Sequence, residues 1–80
     1  MPVTHTLKCL PHYFHAIRRK EKNFDVRRDD RGFQKGDTVI LREWDSKFLR
    51  FVGNDEHRKI KYILAGGQFG IEPGFVVLGF

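Results

Sequence analysis

Thr38-Val39-Ile40-Leu41-Arg42-Glu43-Trp44 reads as the clearest strand in the chain. Its run Val39-Ile40-Leu41 is apolar on both faces, which predicts a central strand. Gln34-Lys35-Gly36-Asp37 just before it is a tight turn in which Gly36 can take positive φ. After it, Asp45-Ser46-Lys47 turns the chain into a predicted strand at Phe48–Val52. A polar loop follows at Gly53–His57, then a strand over 58–64 with Ile60, Tyr62 and Leu64 on one face. Gly66-Gly67 and Glu72-Pro73-Gly74 punctuate a final loop before a strand over 75–80.

Upstream of the central strand, residues 4–10 alternate as a strand with His5, Leu7 and Cys9 on one face. Pro11 suits the first turn of a helix, where its missing N–H costs nothing. A helix over 11–19 places Phe14 and Ile17 on an apolar face, flanked by Leu10 or Tyr13. Arg18, Arg19 and Lys20 then suit the negative pole of the helix dipole. Phe24–Arg28 reads as a further strand, with Phe24 and Val26 predicted toward the core and Asp25 and Arg27 on the opposite face. Asp29-Asp30-Arg31-Gly32 is a polar turn.

Five or six strands with one early helix predict an α+β fold, a small twisted or barrel-like sheet plugged by that helix. Eighty residues make a single domain, 1–80. A chain this short buries only about 60–65% of its unfolded surface, so the core is modest. The aromatic content of 14% compensates, since large rings remove the most area from water. One cysteine, Cys9, excludes an internal disulfide framework. No apolar run is long enough to cross a membrane as a helix. His5, Lys8 and His12 interrupt what would be the apolar region of a signal peptide. A cytoplasmic location is therefore expected. Fifteen Lys/Arg against ten Asp/Glu give a formal charge of +5, which favours anionic partners.

The residues also carry a resemblance. His5-Thr6-Leu7-Lys8, Phe14, Ile17, Lys22, Phe24-Asp25-Val26-Arg27, Asp30-Arg31, Phe33, Gly36-Asp37 and Leu41-Arg42-Glu43-Trp44 resemble the DUF3850 family. This is a group of small bacterial and phage proteins within the ASCH group of the PUA-like superfamily. The ending Gly70-Ile71-Glu72-Pro73-Gly74-Phe75-Val76-Val77-Leu78 fits the same family. The resemblance implies a PUA-like β-barrel with the helix beside a cleft, and a role in binding RNA. Two positions depart from the family pattern. Lys20 stands where a helix-ending glycine is usual, so another turn is expected in place of the left-handed cap. Asp25 replaces a more common Glu, shortening a carboxylate that would face the cleft.

Residues 18–31 hold seven basic and four acidic side chains, a mixed rather than uniformly positive stretch. Lys22, Asp25 and Arg27 form its centre, with Lys8, Arg28 and Arg31 as neighbours, and these six are the candidate nucleic-acid-binding residues. In that reading the cations meet phosphates while Asp25 accepts from a base or ribose donor. The competing reading is a salt-bridge network, Asp25 with Lys22 and Asp29 or Asp30 with Arg31. Some ASCH proteins are amidohydrolases acting on N4-acetylcytidine, with a Lys, a Thr and a distant Glu. Lys22 matches that Lys, but Asp25 stands at the Thr position and only Gly53–Arg58 is available where the Glu-bearing insertion would lie. Lys22 and Asp25 are catalytic candidates under this alternative alone, with Glu43 as a stand-in acid that no sequence feature places in the cleft.

His5, Cys9, His12 and His15 are conceivable zinc ligands, but a core cysteine and solvent-facing histidines are the simpler reading, and no metal or cofactor is expected. Trp44, Phe48, Phe51, Phe33, Phe69 and Tyr62 contain both core residues and any platform for unpaired bases, with Trp44 and Phe69 the best candidates for exposure. The expected function is a non-catalytic RNA- or nucleotide-binding module, acting as a monomer and without a membrane partner. The alternatives are a small hydrolase of a modified nucleoside and a protein-interaction module.

Overall fold

In the computed structural model, which describes residues 1–80, the chain forms β1 (Thr4–Cys9), α1 (Pro11–Arg18), β2 (Phe24–Arg28), β3 (Thr38–Asp45), β4 (Arg50–Lys59), β5 (Tyr62–Ala65) and β6 (Phe75–Gly79). Backbone pairing gives two three-stranded sheets, β1-β3-β4 and β2-β6-β5. β3 is central in the first, as its doubly apolar run requires. β1 lies parallel to it with Leu7 opposite Leu41, and β4 antiparallel with Leu41 opposite Glu56. In the second sheet β6 is central and antiparallel to both neighbours, with Leu78 opposite Asp25 and Ile63.

The core lies between the sheets. Leu7 and Cys9 from β1, Val39 and Leu41 from β3, and Val76 and Leu78 from β6 meet Phe14 and Ile17 of α1, with Phe33 and Ile60 closing the ends. Phe14 and Ile17 are fully buried, and α1 rests on β3 and β4. Pro11 occupies the first helical turn as expected. The other end departs from expectation. Lys20 itself takes the left-handed conformation, φ 64°, that glycine usually supplies. Its N–H donates to the Ile17 carbonyl at 3.0 Å and that of Glu21 to Ala16 at 3.0 Å, the paired bonds of a Schellman cap. The cap geometry is kept and the lysine absorbs the strain.

Three further expectations are corrected. Phe48 and Leu49 belong to the β3–β4 turn, where Asp45 Oδ1 accepts from the Lys47 and Phe48 N–H groups. The expected polar loop 53–57 is instead the middle of β4. β4 is an edge strand, so its polar residues face water or pair with charges rather than demanding a loop. Arg42 meets Asp55 across the ladder at 3.3 Å, and Glu56 accepts from Arg18 of α1 at 2.9 Å and pairs with Arg58 at 3.0 Å. The expected strand 58–64 is divided at Ile60-Lys61, where the chain crosses from one sheet to the other and Lys61 N–H donates to the Gly79 carbonyl at 2.7 Å.

The two sheets approach again at β1 and β2, and here no ladder forms. The Val3 carbonyl accepts from Thr38, so by alternation the Thr6 and Lys8 carbonyls point away from β3 into this seam. Arginine side chains meet them: Arg31 Nη1 donates to the Thr6 carbonyl at 2.7 Å, and Arg27 Nη2 donates to that of Lys8. No buried side-chain nitrogen or oxygen lacks a partner. No helix is long and apolar enough to cross a membrane.

A mixed-charge cleft at the sheet seam

β2 is pleated the opposite way from expectation. Asp25 faces inward and is 9% exposed, while Phe24 and Val26 are about half exposed. The register explains it, because Asp25 lies opposite Leu78, whose side chain is fully buried. An inward carboxylate needs compensation. It receives it from both sides: Lys22 Nζ donates to Oδ1 at 3.2 Å and Arg27 Nε to Oδ2 at 2.6 Å. The cap at the end of α1 delivers Lys22 to this position, its own N–H donating to the Ala16 carbonyl at 3.1 Å.

The ammonium of Lys22 also donates to the Phe24 carbonyl at 2.9 Å, and it lies 5.2 Å from the Tyr13 ring centre and 4.9 Å from that of Phe24. Tyr13, Lys22, Phe24, Asp25 and Val26 line an open cavity of about 380 Å³. A second, of about 350 Å³, shares Tyr13, Asp25 and Val26 and adds Lys8, Cys9, Leu10, Arg27, Arg28 and Phe75. The shared walls make one cleft running from the end of α1 along β2.

Of the six predicted residues, Lys8, Lys22, Asp25, Arg27 and Arg28 line this cleft. Arg31 does not. It sits on the Thr6 carbonyl and 3.6 Å from Asp30, in the salt-bridge role that was the competing reading. Lys22–Asp25 is likewise an ion pair, within the cleft rather than away from it. Arg28 has no acidic partner, and its guanidinium lies 4.9 Å from the Phe75 ring centre. Tyr13, Phe24 and Val26 were not predicted as lining residues. The sequence pattern puts Phe24 and Val26 on a core face and Tyr13 beside one, and only the inward carboxylate between two cations signals the inverted pleat.

Cys9 sits at the floor. Burial pushes its thiol above the ordinary value of 9.0, and the Asp25 carboxylate adds to this against the opposing pull of Lys22 and Arg27. The thiol therefore stays protonated at neutral pH and is a weak nucleophile. Glu43, opposite Cys9 in the ladder, is buried outside the cleft lining, with Oε1 accepting from Asn54 at 2.9 Å and Oε2 3.4 Å from His15. The histidines disperse: His5 pairs with Asp37, and His12 packs on Tyr13. No three metal-ligating side chains come together.

Two three-stranded sheets and one helix, with a mixed-charge cleft at the sheet seam, define a small α+β domain. The chain belongs to the family described as Domain of unknown function (DUF3850), whose model matches residues 4–80. It is similar to a protein of Escherichia phage P2 described as "Uncharacterized 12.9 kDa protein in GpA 3'region", with 36% identity over 44 residues. That match takes in 55% of this chain and 40% of the phage protein's length.

Proposed function

We propose that the chain is an RNA- or nucleotide-binding module, an opened PUA-like barrel of the ASCH type acting in the cytoplasm, whose ligand enters the cleft between α1 and β2. The observation that carries this reading is Lys22 held between two half-exposed rings, Tyr13 and Phe24, over the Asp25 carboxylate. Lys8, Lys22, Arg27 and Arg28 outnumber Asp25 in the lining, so the cleft favours an anion. Its volume suits a single nucleotide. A base stacked on Tyr13 or Phe24 is worth about 1–3 kcal/mol. Each Asp25 oxygen accepts one hydrogen bond from a cation and keeps a further lone pair for a base N–H or a ribose 2′-OH. Arg28, lacking an acidic partner, is the cation freest to meet a phosphate.

Titration of the chain with nucleoside monophosphates and short RNAs at low and moderate salt tests this. Affinity should fall with salt, and Arg28→Gln should reduce the log–log slope for single strands by about 0.7 while the melting temperature stays close to that of the parent. Lys22→Gln should reduce the slope likewise, with a lower melting temperature because Lys22 also compensates the inward Asp25. Absence of binding to mononucleotide, single-stranded and structured RNA at low salt overturns it. Release of acetate from N4-acetylcytidine, abolished by Lys22→Gln, would replace it with the hydrolase reading. Against that chemistry, the Lys22 ammonium already donates to two oxygens and Glu43 lies outside the lining.

A further inference from the structure

We propose that the outer face of the β1-β3-β4 sheet, with the β3–β4 turn, is a track for single-stranded nucleic acid continuing out of the cleft. The inference rests on the reading above that the ligand is a nucleotide chain. Lys8 and Arg42 are ladder partners on this face, and so are Trp44 and Phe51. Between these pairs the register shifts, and Gly53 takes φ 101°. The irregularity brings Phe51 opposite Trp44, their ring centres 4.8 Å apart at 69°. Phe48 at the turn is 65% exposed.

Every ring on this face has a cation beside it. Lys8 Nζ is 4.0 Å from the Trp44 ring centre and the Arg42 guanidinium 4.4 Å from that of Phe51. Lys47 and Arg50 lie 5.6 and 5.7 Å from that of Phe48. The nearby acids are already engaged, Asp55 with Arg42 and Asp45 with the turn N–H groups. A surface of rings interleaved with positive charge complements a polyanion that carries flat bases. An exposed cation–ring contact contributes roughly 2- to 5-fold to an equilibrium constant, and a stacked base roughly 5- to 150-fold. A base can therefore displace the cation from the ring, and the freed cation meets the adjacent phosphate. Lys8 joins the two surfaces, since it lines the cleft and lies over Trp44. A duplex, whose base faces are already stacked, has nothing to offer these rings.

Trp44 is the only tryptophan, so its fluorescence reports on this face alone. The full chain is titrated with uridine monophosphate, a single-stranded oligouridylate of about ten nucleotides, and an RNA duplex. The oligouridylate should bind at least about tenfold tighter than the monophosphate and quench Trp44, while the duplex should not quench it. Phe51→Ala, Arg42→Gln and Phe48→Ala should each weaken oligouridylate binding about five- to tenfold and leave monophosphate affinity unchanged. Phe48, in the turn, keeps the test alive if Phe51→Ala fails to fold. Equal affinity for oligouridylate and monophosphate, unaltered oligouridylate binding in the face variants, or unquenched Trp44 at saturation overturns the track. So does quenching that follows protein concentration instead of ligand, which would mark the face as a self-association surface. Trp44 quenching by oligouridylate that survives Lys22→Gln, with no monophosphate binding, would sustain the track and sink the cleft reading.

Discussion

Arg27 joins the two sheets through Lys8: its Nη2 donates to the Lys8 main-chain carbonyl while its Nε holds Asp25 Oδ2 at 2.6 Å. One guanidinium thus satisfies an edge carbonyl of β1 and an inward carboxylate of β2. Arg27→Ala should destabilise the fold by about 2–3 kcal/mol, measured by urea denaturation, because it orphans both acceptors. Arg27→Lys should recover less than half of that loss, since one ammonium cannot reproduce the fork.

Lys20→Gly should stabilise the chain by about 0.5–1 kcal/mol. The left-handed conformation at this cap costs a side-chain-bearing residue about 1–2 kcal/mol, partly offset by the greater freedom of glycine in the unfolded state. A rise in the thermal midpoint checks it, and no rise would mean that Lys20 gains elsewhere what it loses in backbone strain.

Gly66→Ala should cost at least about 3 kcal/mol. A Cβ there would overlap the Glu72 carbonyl oxygen and lie 2.6 Å from that of Phe75, which accepts the Gly66 N–H at 2.7 Å. Backbone on both sides leaves no flexible atom to yield. Gly67→Ala, whose Cβ would meet only a Pro73 side-chain carbon at 3.9 Å, should cost about 1 kcal/mol through its φ of 88° alone.

Acid should erode stability through Asp37. His5, donating at 2.8 Å, holds its carboxyl below the usual 3.8, with the Val3 and Gln34 N–H groups in support. A folded-state value below the unfolded one means that the unfolded chain binds the proton first. The stabilisation is therefore complete above the unfolded value and is lost as pH falls through the folded one. Glu56, lowered from 4.5 chiefly by Arg18, acts in the same direction. Urea midpoints should drop as pH falls below about 4, with a shallower drop in Asp37→Asn, whose neutral midpoint is already lower.

The Cys9 thiol should react slowly with iodoacetamide, its rate rising with an inflection above pH 9.0. Asp25→Asn removes a carboxylate that holds the thiol up while leaving Lys22 and Arg27, so the inflection should move down. An unmoved inflection would place Asp25 too far from the sulfur to matter.

Much of the fold was legible because burial leaves a periodic mark. Val39-Ile40-Leu41 announced the central strand, Phe14 and Ile17 the packed face of α1, and Pro11 its start. β4 was obscured because an edge strand is not obliged to alternate, so Asp55-Glu56-His57 passed for a loop. β2 was misread by the same logic. Phe24 and Val26 look like a core face, yet Asp25 takes the inward position because Lys22 and Arg27 neutralise it there. Five of the six candidate residues share the cleft; Arg31 was separated from them only by which carbonyl its side chain reaches.

The lone pairing of β2 with β6 also sets when the cleft can exist. The first sheet and α1 are complete within residues 4–59. The strand carrying Asp25 has no ladder partner until Phe75–Gly79 follows. The Asn23 carbonyl likewise waits for the N–H of Phe80, 2.9 Å away. A chain in which β6 cannot pair should therefore hold the helix and first sheet while the walls around Asp25 stay unformed, so the cleft is the part of the fold that depends on the most distant contact.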